Sequence, residues 1–170
     1  MNKKWEVLED GDVLLALNIN NELSKLIAEV THSQYSHAFM YIGNGFIVES
    51  TFGGVQISPL KKYDDGHHHV ISVRHKTLSA EERQKVRKSA LKYLGKKYGY
   101  PQLLWYLLAR MIGKSEDPKW QLDLDKNGMV CSEAIARAYE DNGFRIKDGL
   151  EPYAIEPVDF VESEHFVRIF

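Results

Sequence analysis

One cysteine, Cys131, in 170 residues excludes an intramolecular disulfide and a cysteine-rich zinc site, so any sulfur chemistry here is thiol chemistry. A basic excess is also lacking. The 22 Lys and Arg stand against 24 Asp and Glu, giving a formal charge of −2. The pI is about 6.4, and nothing in that balance would neutralise a phosphate backbone, so no nucleic-acid partner is expected. The longest apolar stretch, Leu103 to Ile112, is interrupted by Arg110 and falls well short of the ~20 residues that a spanning helix needs. After Met1-Asn2-Lys3-Lys4, the acidic Glu6, Glu9, Asp10 and Asp12 arrive before any apolar run. No secretory core develops from that start, and a cytoplasmic location is the expectation. The five prolines and 12 glycines lie mostly at the ends of expected elements, with no repeat and no low-complexity joint. One domain over residues 1–170 is therefore expected.

What is present is a core-forming composition, 44% hydrophobic and 11% aromatic. Asp12 to Leu17 reads as a short buried strand and Asn21 to Val30 as a helix, with Leu23, Leu26, Ile27 and Val30 at helical spacing behind asparagine caps. Ser36 to Ile42, Phe46 to Thr51 and Val55 to Leu60 are rich in β-branched and aromatic residues. Gly43-Asn44-Gly45 and Gly53-Gly54 separate them and supply the positive φ of hairpin turns. His68 to His75 adds a fourth extended run. Ser79 and Glu82 form a capping box for a helix ending near Tyr93 or Gly95. Pro101 suits the first turn of a greasier helix to Ile112. Ser132 to Asn142 is a third helix, closed by Gly143. One turn at Pro157 to Glu162 and a strand at His165 to Phe170 follow, and the order argues for an α+β fold with a mostly antiparallel sheet.

Cys131 falls at the expected start of a helix, where unpaired amides and the positive dipole end favour a thiolate and can hold an oxyanion. A small apolar residue facing the core is the competing reading, given Ala134 and Ile135. A thiol nucleophile needs a base, and the base an orienting group. With a three-residue loop at Gly43-Asn44-Gly45, Ile42 pairs with Phe46 and Glu49 lies opposite Phe39. His37 and Glu49 then share a face as diagonal neighbours, whereas a two-residue loop would put them on opposite faces.

His67-His68-His69 reads as a polar turn entering a strand, since adjacent strand residues point to opposite faces. Asp123-Leu124-Asp125-Lys126-Asn127-Gly128 resembles the opening of a calcium loop, but Ala134 stands where its closing glutamate belongs. It reads as a turn, and neither a metal nor a cofactor is expected. For the Leu103 to Ile112 surface, core packing is the default, with an acyl-chain groove or peripheral lipid contact as the sharper alternative.

Gly11-Asp12-Val13-Leu14, Tyr35-Ser36-His37-Ala38, Val48-Glu49-Ser50, Gly54-Val55-Gln56-Ile57, Lys97-Tyr98-Gly99-Tyr100, Val130-Cys131-Ser132-Glu133 and Glu156-Pro157-Val158-Asp159-Phe160 occur in this order. Together they resemble the circularly permuted NlpC-type, papain-like cysteine hydrolases, in which histidine precedes cysteine. The resemblance implies a permuted papain-like fold, an antiparallel barrel-like sheet packed against helices. It implies Cys131 as nucleophile, His37 as base and Glu49 as orienting residue, with Tyr98, Tyr35 and Ser132 at the substrate. The usual acidic residue after that tyrosine is Gly99 here. The resemblance further implies hydrolysis of an amide in a small peptide, a cell-wall-derived peptide or an amino-acid amide, with a lipid acyl group or a non-catalytic binding role as alternatives.

Overall fold

The structure, a computed structural model, describes residues 3–114, 117–120, 122–125 and 127–170. Met1, Asn2 and Lys126, used in the sequence reading, lie outside the described residues, as does the side chain of Leu23. The elements in order are β1 (Val13–Asn18), α1 (Glu22–Val30), β2 (His37–Tyr41), β3 (Phe46–Thr51), β4 (Gly54–Pro59) and β5 (His68–His75). After them come α2 (Ala80–Lys92), β6 (Lys97–Tyr98), α3 (Tyr100–Met111), β7 (Gly128–Met129), α4 (Cys131–Glu140), α5 (Asp159–Glu162) and β8 (Phe166–Arg168).

Local chemistry fixes most of these boundaries. The Asn21 side chain accepts from the Ser24 amide at the start of α1, and Ser79 with Glu82 makes a reciprocal capping box on α2. Between β2 and β3, Gly43, Asn44 and Gly45 all adopt positive φ, at 90°, 54° and 77°. The Ile42 amide donates to Phe46 O at 3.0 Å. The three-residue loop thereby sets a register in which Phe39 faces Glu49.

β1 to β5 and β8 form one sheet in the order β4-β3-β2-β1-β5-β8, antiparallel at every pairing. Alternation along the strands divides the core in two. On one face Val13, Leu15, Ala38, Met40 and Val48 pack with Val86 of α2 and Ile135, Ala138 and Tyr139 of α4. On the other, Leu14, Phe39 and Ile47 pack with Trp5, Leu60 and Tyr63. Tyr139 Oη donates to Gly11 O at 2.7 Å, tying α4 to the entry of β1. Asp12, fully buried, accepts from Arg74 Nε at 2.7 Å.

Two features depart from the sequence reading. A two-residue parallel pairing, β6 with β7, joins Tyr98 to Met129. The α3 helix is not a core helix all round: Leu104, Leu108, Met111 and Ile112 are exposed, Leu104 by 68% and Met111 by 73%. Its buried positions include Gln102 and Ala109, so its apolar surface is wider than the contact that the other described residues offer it.

Candidate active site

Cys131 is the first residue of α4, preceded by Val130 in extended conformation. The turn that delivers it is held from two sides. Ser50 Oγ on β3 donates to Met129 O at 2.6 Å. The Val130 amide donates to the Glu133 carboxylate at 3.4 Å. The first amides of α4 have no intrahelical acceptor and point with the helix dipole toward the sulfur. Cys131 is 7% exposed, and the Ala38 and Ser132 amides donate to its sulfur.

The β2–β3 register brings His37 and Glu49 together. His37 Nε2 donates to Glu49 Oε2 at 3.1 Å, which leaves Nδ1 as the ring nitrogen for the thiol, with which the imidazole also hydrogen-bonds. The Glu49 side chain is inaccessible to solvent, while that of His37 keeps 21% exposure. Burial alone would push the Cys131 thiol up, but the His37 imidazolium and the two amides bring it below the ordinary thiol value. Burial would likewise lower His37, and the Cys131 thiolate and Glu49 outweigh it, raising the imidazole from 6.5 to about 9. Glu49, though desolvated, is held well below the usual carboxylate range by His37, Lys62 and Ser58. Cysteine, histidine and glutamate thus form an alternating chain of charge.

Lys62 and Tyr63 escaped the sequence reading. Both lie in the 3-10 turn Leu60–Tyr63 that follows β4. Lys62 Nζ donates to Glu49 Oε1, and Tyr63 Oη donates to Glu49 Oε2 at 2.7 Å. The Tyr63 ring also stacks on His37 at 6.3 Å and on Phe39 at 4.2 Å. No spacing signature marks this turn. The nearest signal is a Lys and a Tyr immediately after a strand that neighbours the one bearing Glu49.

Two cavities reach this constellation. One is lined by His37, Asn18, Ser24, Ser50 and His68, the other by Cys131, Ser132, Leu103, Tyr106 and Leu107. Tyr98 and Ser36 line both. Of the residues expected at the substrate, Tyr98 is therefore at the site. Ser132 is beside it, its hydroxyl donating to Ile155 O. Tyr35 is not: it is buried in the hydrophobic core and lines neither cavity. His67 and His68 are fixed locally, by Asn20 and by Asp65 and Asn18. Asp125 Oδ1 caps the Asn127 and Gly128 amides, as the turn reading requires. Among the described residues, the one set of three or more His, Cys, Asp or Glu side chains with convergent ligand atoms is Asp148, Glu164 and His165, within 4.8 Å of one another. None of the three lines either cavity.

The sequence profile of Peptidase_C92, described as the permuted papain-like amidase enzymes of the YaeF/YiiX, C92 family, matches residues 7–104. His37, Glu49 and Tyr98 lie inside that match and Cys131 beyond it. The uncharacterized protein YiiX of Escherichia coli strain K12 is 30% identical over 139 residues, covering 78% of this chain and 58% of that protein. The chain thus spans little more than half the length of this relative. The crystal structure of metalloprotein YiiX from Escherichia coli O157:H7 has a TM-score of 0.68 at 21% identity, covering 94% of this chain and 95% of that one. That likeness is one of fold.

Proposed function

The chain belongs to the permuted papain-like amidase family, and from that premise we propose that it cleaves an amide through a Cys131-His37-Glu49 triad and a thioester intermediate. One observation carries the reading. The only thiol in the chain sits at a helix start against an imidazole whose other nitrogen is bonded to a buried carboxylate.

The steps follow from the geometry. His37 Nδ1 takes the Cys131 proton, and the thiolate attacks the carbonyl carbon. The oxyanion is met by amides at the start of α4, where no intrahelical acceptor competes for them. The amine departs with the proton from Nδ1, leaving the acyl group on sulfur. Water, deprotonated by the same nitrogen, then cleaves the thioester, releasing the acid and restoring the thiol. Glu49 keeps Nε2 protonated and the ring in place, while Lys62 and Tyr63 keep Glu49 in place. None of these steps calls for a metal or a cofactor. A small peptide or amino-acid amide is the proposed substrate.

A second reading keeps the thiol and makes the substrate a lipid acyl group, favoured by the exposed leucines of α3. Both readings share one test, with amide and ester substrates offered to wild type, Cys131→Ala and His37→Ala. Turnover should be abolished in the first variant and fall at least ~100-fold in the second, with thermal unfolding still cooperative. Full activity in either would overturn the triad.

A further inference from the structure

The two cavities that meet at the thiol and imidazole differ in size and in chemistry, and the direction of proton transfer assigns them. In the proposed amide cleavage, on which this inference rests, the leaving amine must collect its proton from His37, so it departs on the imidazole's side. The acyl group stays on sulfur. The cavity lined by His37 therefore receives the amine half of the substrate, and the cavity lined by Cys131 keeps the acyl half.

The acyl cavity has a volume of about 40 Å3, room for roughly three water-sized spheres, and so for a chain of a few carbons. Its walls include Ile27, Leu103, Leu107 and Ile155. Several of its polar groups are turned away from it, while the Tyr106 hydroxyl is buried there without a hydrogen-bond partner among the described residues. Ser132 Oγ is given to Ile155 O, Thr31 Oγ1 to Ile27 O, and Gln102 Oε1 to the Leu124 amide. The Glu156 carboxylate is taken by Arg110, at 2.9 and 3.0 Å. The amine cavity measures about 240 Å3, six times more. Asn18, Asn21, Ser24, Thr51 and His68 contribute to its lining; Asn18 bonds His68 and Ser24 bonds Ser36, and the second amide hydrogen and remaining lone pairs of these groups are left for a polar group of the substrate.

We infer that the substrate joins a short apolar acyl group, held against Leu103 and Leu107, to a larger polar amine, held against Asn18, Ser24 and His68. A carboxylate on the acyl side would face mainly carbon walls and the like-charged, already paired Glu156, with the single Tyr106 hydroxyl to set against its desolvation. A long chain would overrun the cavity.

Acylation of Cys131 by p-nitrophenyl esters isolates the acyl side, because the same leaving group is used throughout. The full chain is treated with acetate, butanoate, octanoate and succinate esters, with p-nitrophenolate release and the mass of the acyl-enzyme as readouts. Butanoate should acylate about 15-fold faster than acetate, since each of its two extra buried methylenes contributes about fourfold. Octanoate should gain nothing further, and succinate should be at least tenfold slower than butanoate. Leu107→Asn should lower the ratio of butanoate to acetate acylation to near one. The wild-type order decides by itself if that variant does not fold.

The amine side is read by intercepting the butanoyl enzyme with equimolar serinamide and valinamide. An excess of butanoyl-serinamide, reduced in Ser24→Ala, is the expected product ratio. Succinate equal to or faster than butanoate, octanoate fastest, or valinamide preferred would overturn the assignment while leaving the thiol mechanism standing. Failure of every ester to acylate Cys131 would instead remove the mechanism, and the assignment with it.

Discussion

The ionic state of the Cys131–His37 pair can be read from the imidazole. The His37 pKa, raised from 6.5 to about 9, corresponds to roughly 3 kcal/mol in favour of the protonated ring. Desolvation opposes this rise, and both contributions of Cys131, its charge and its hydrogen bond, exceed those of Glu49. The sulfur is therefore the larger of the two causes of the rise. Cys131→Ala should lower the His37 pKa toward the ordinary histidine value of 6.5.

The assay is a titration of the His37 ring Cε1–H by NMR from pH 5 to 10 in wild type and Cys131→Ala, assigned with His37→Gln. Iodoacetamide alkylation of Cys131 supplies the reciprocal measurement. In wild type, the thiolate should react well below the ordinary thiol pKa of about 8.5, and in His37→Ala only at alkaline pH. The sign for stability follows. A raised folded pKa on His37 means that its contribution is present below about 6.5 and is lost as pH rises through about 9. The depressed thiol pKa means that the pair is lost again once acid protonates the sulfur. A wild-type ring titrating near 6.5, or one unmoved by Cys131→Ala, would refute the ion pair and with it the activated nucleophile.

Glu49→Gln should lower kcat/KM by roughly 10- to 100-fold, less than removal of the thiol, because an amide can still orient the ring. It should also flatten the acid side of the stability profile. The folded pKa of Glu49 is depressed, so its contribution exists above about 4.3 and is lost as pH falls. Chemical unfolding from pH 3 to 7 checks the sign. Lys62→Met removes a cation from Glu49 and should move the acid limb of kcat/KM to higher pH, while Lys62→Arg restores it; a purely structural lysine would leave the profile in place. Gly128→Ala would put a Cβ 2.8 Å from Gly99 Cα and against the Asp125 carboxylate, at the β6–β7 pairing. It should cost roughly 1–3 kcal/mol, seen in thermal unfolding, and lower kcat by disturbing the approach to Cys131.

The sheet was legible because its determinants are local. Three consecutive positive-φ residues fix the β2–β3 loop, and the loop fixes which side chains face each other. That one register carries His37 and Glu49 to a hydrogen bond. The Ser79 capping box and the Asn21 cap were legible for the same reason, since each is a contact over three residues. What escaped depends on pieces far apart in the chain. The β6–β7 pairing joins Tyr98 to Met129 across 31 residues with only two residues on each side, too short to leave a period in the sequence. Tyr35 has the composition of a cleft residue and the position of a core one, a distinction made by tertiary packing.

Lys62 is the sharpest case, and it bears on mechanism. A buried carboxylate beside an imidazolium is costly unless its remaining lone pairs are satisfied. Tyr63 Oη, His37 Nε2 and Lys62 Nζ divide the two oxygens of Glu49 between them. With two cations and one anion around it, Glu49 is held well below the usual carboxylate range. In the proposed mechanism it would therefore hold the ring in one tautomer without accepting its proton, and proton transfer would be confined to Nδ1 and the sulfur. The lysine that enforces this stands 13 residues from Glu49, on a turn with no helical or strand period. Its role follows only once the β3–β4 register has folded that turn back over the carboxylate.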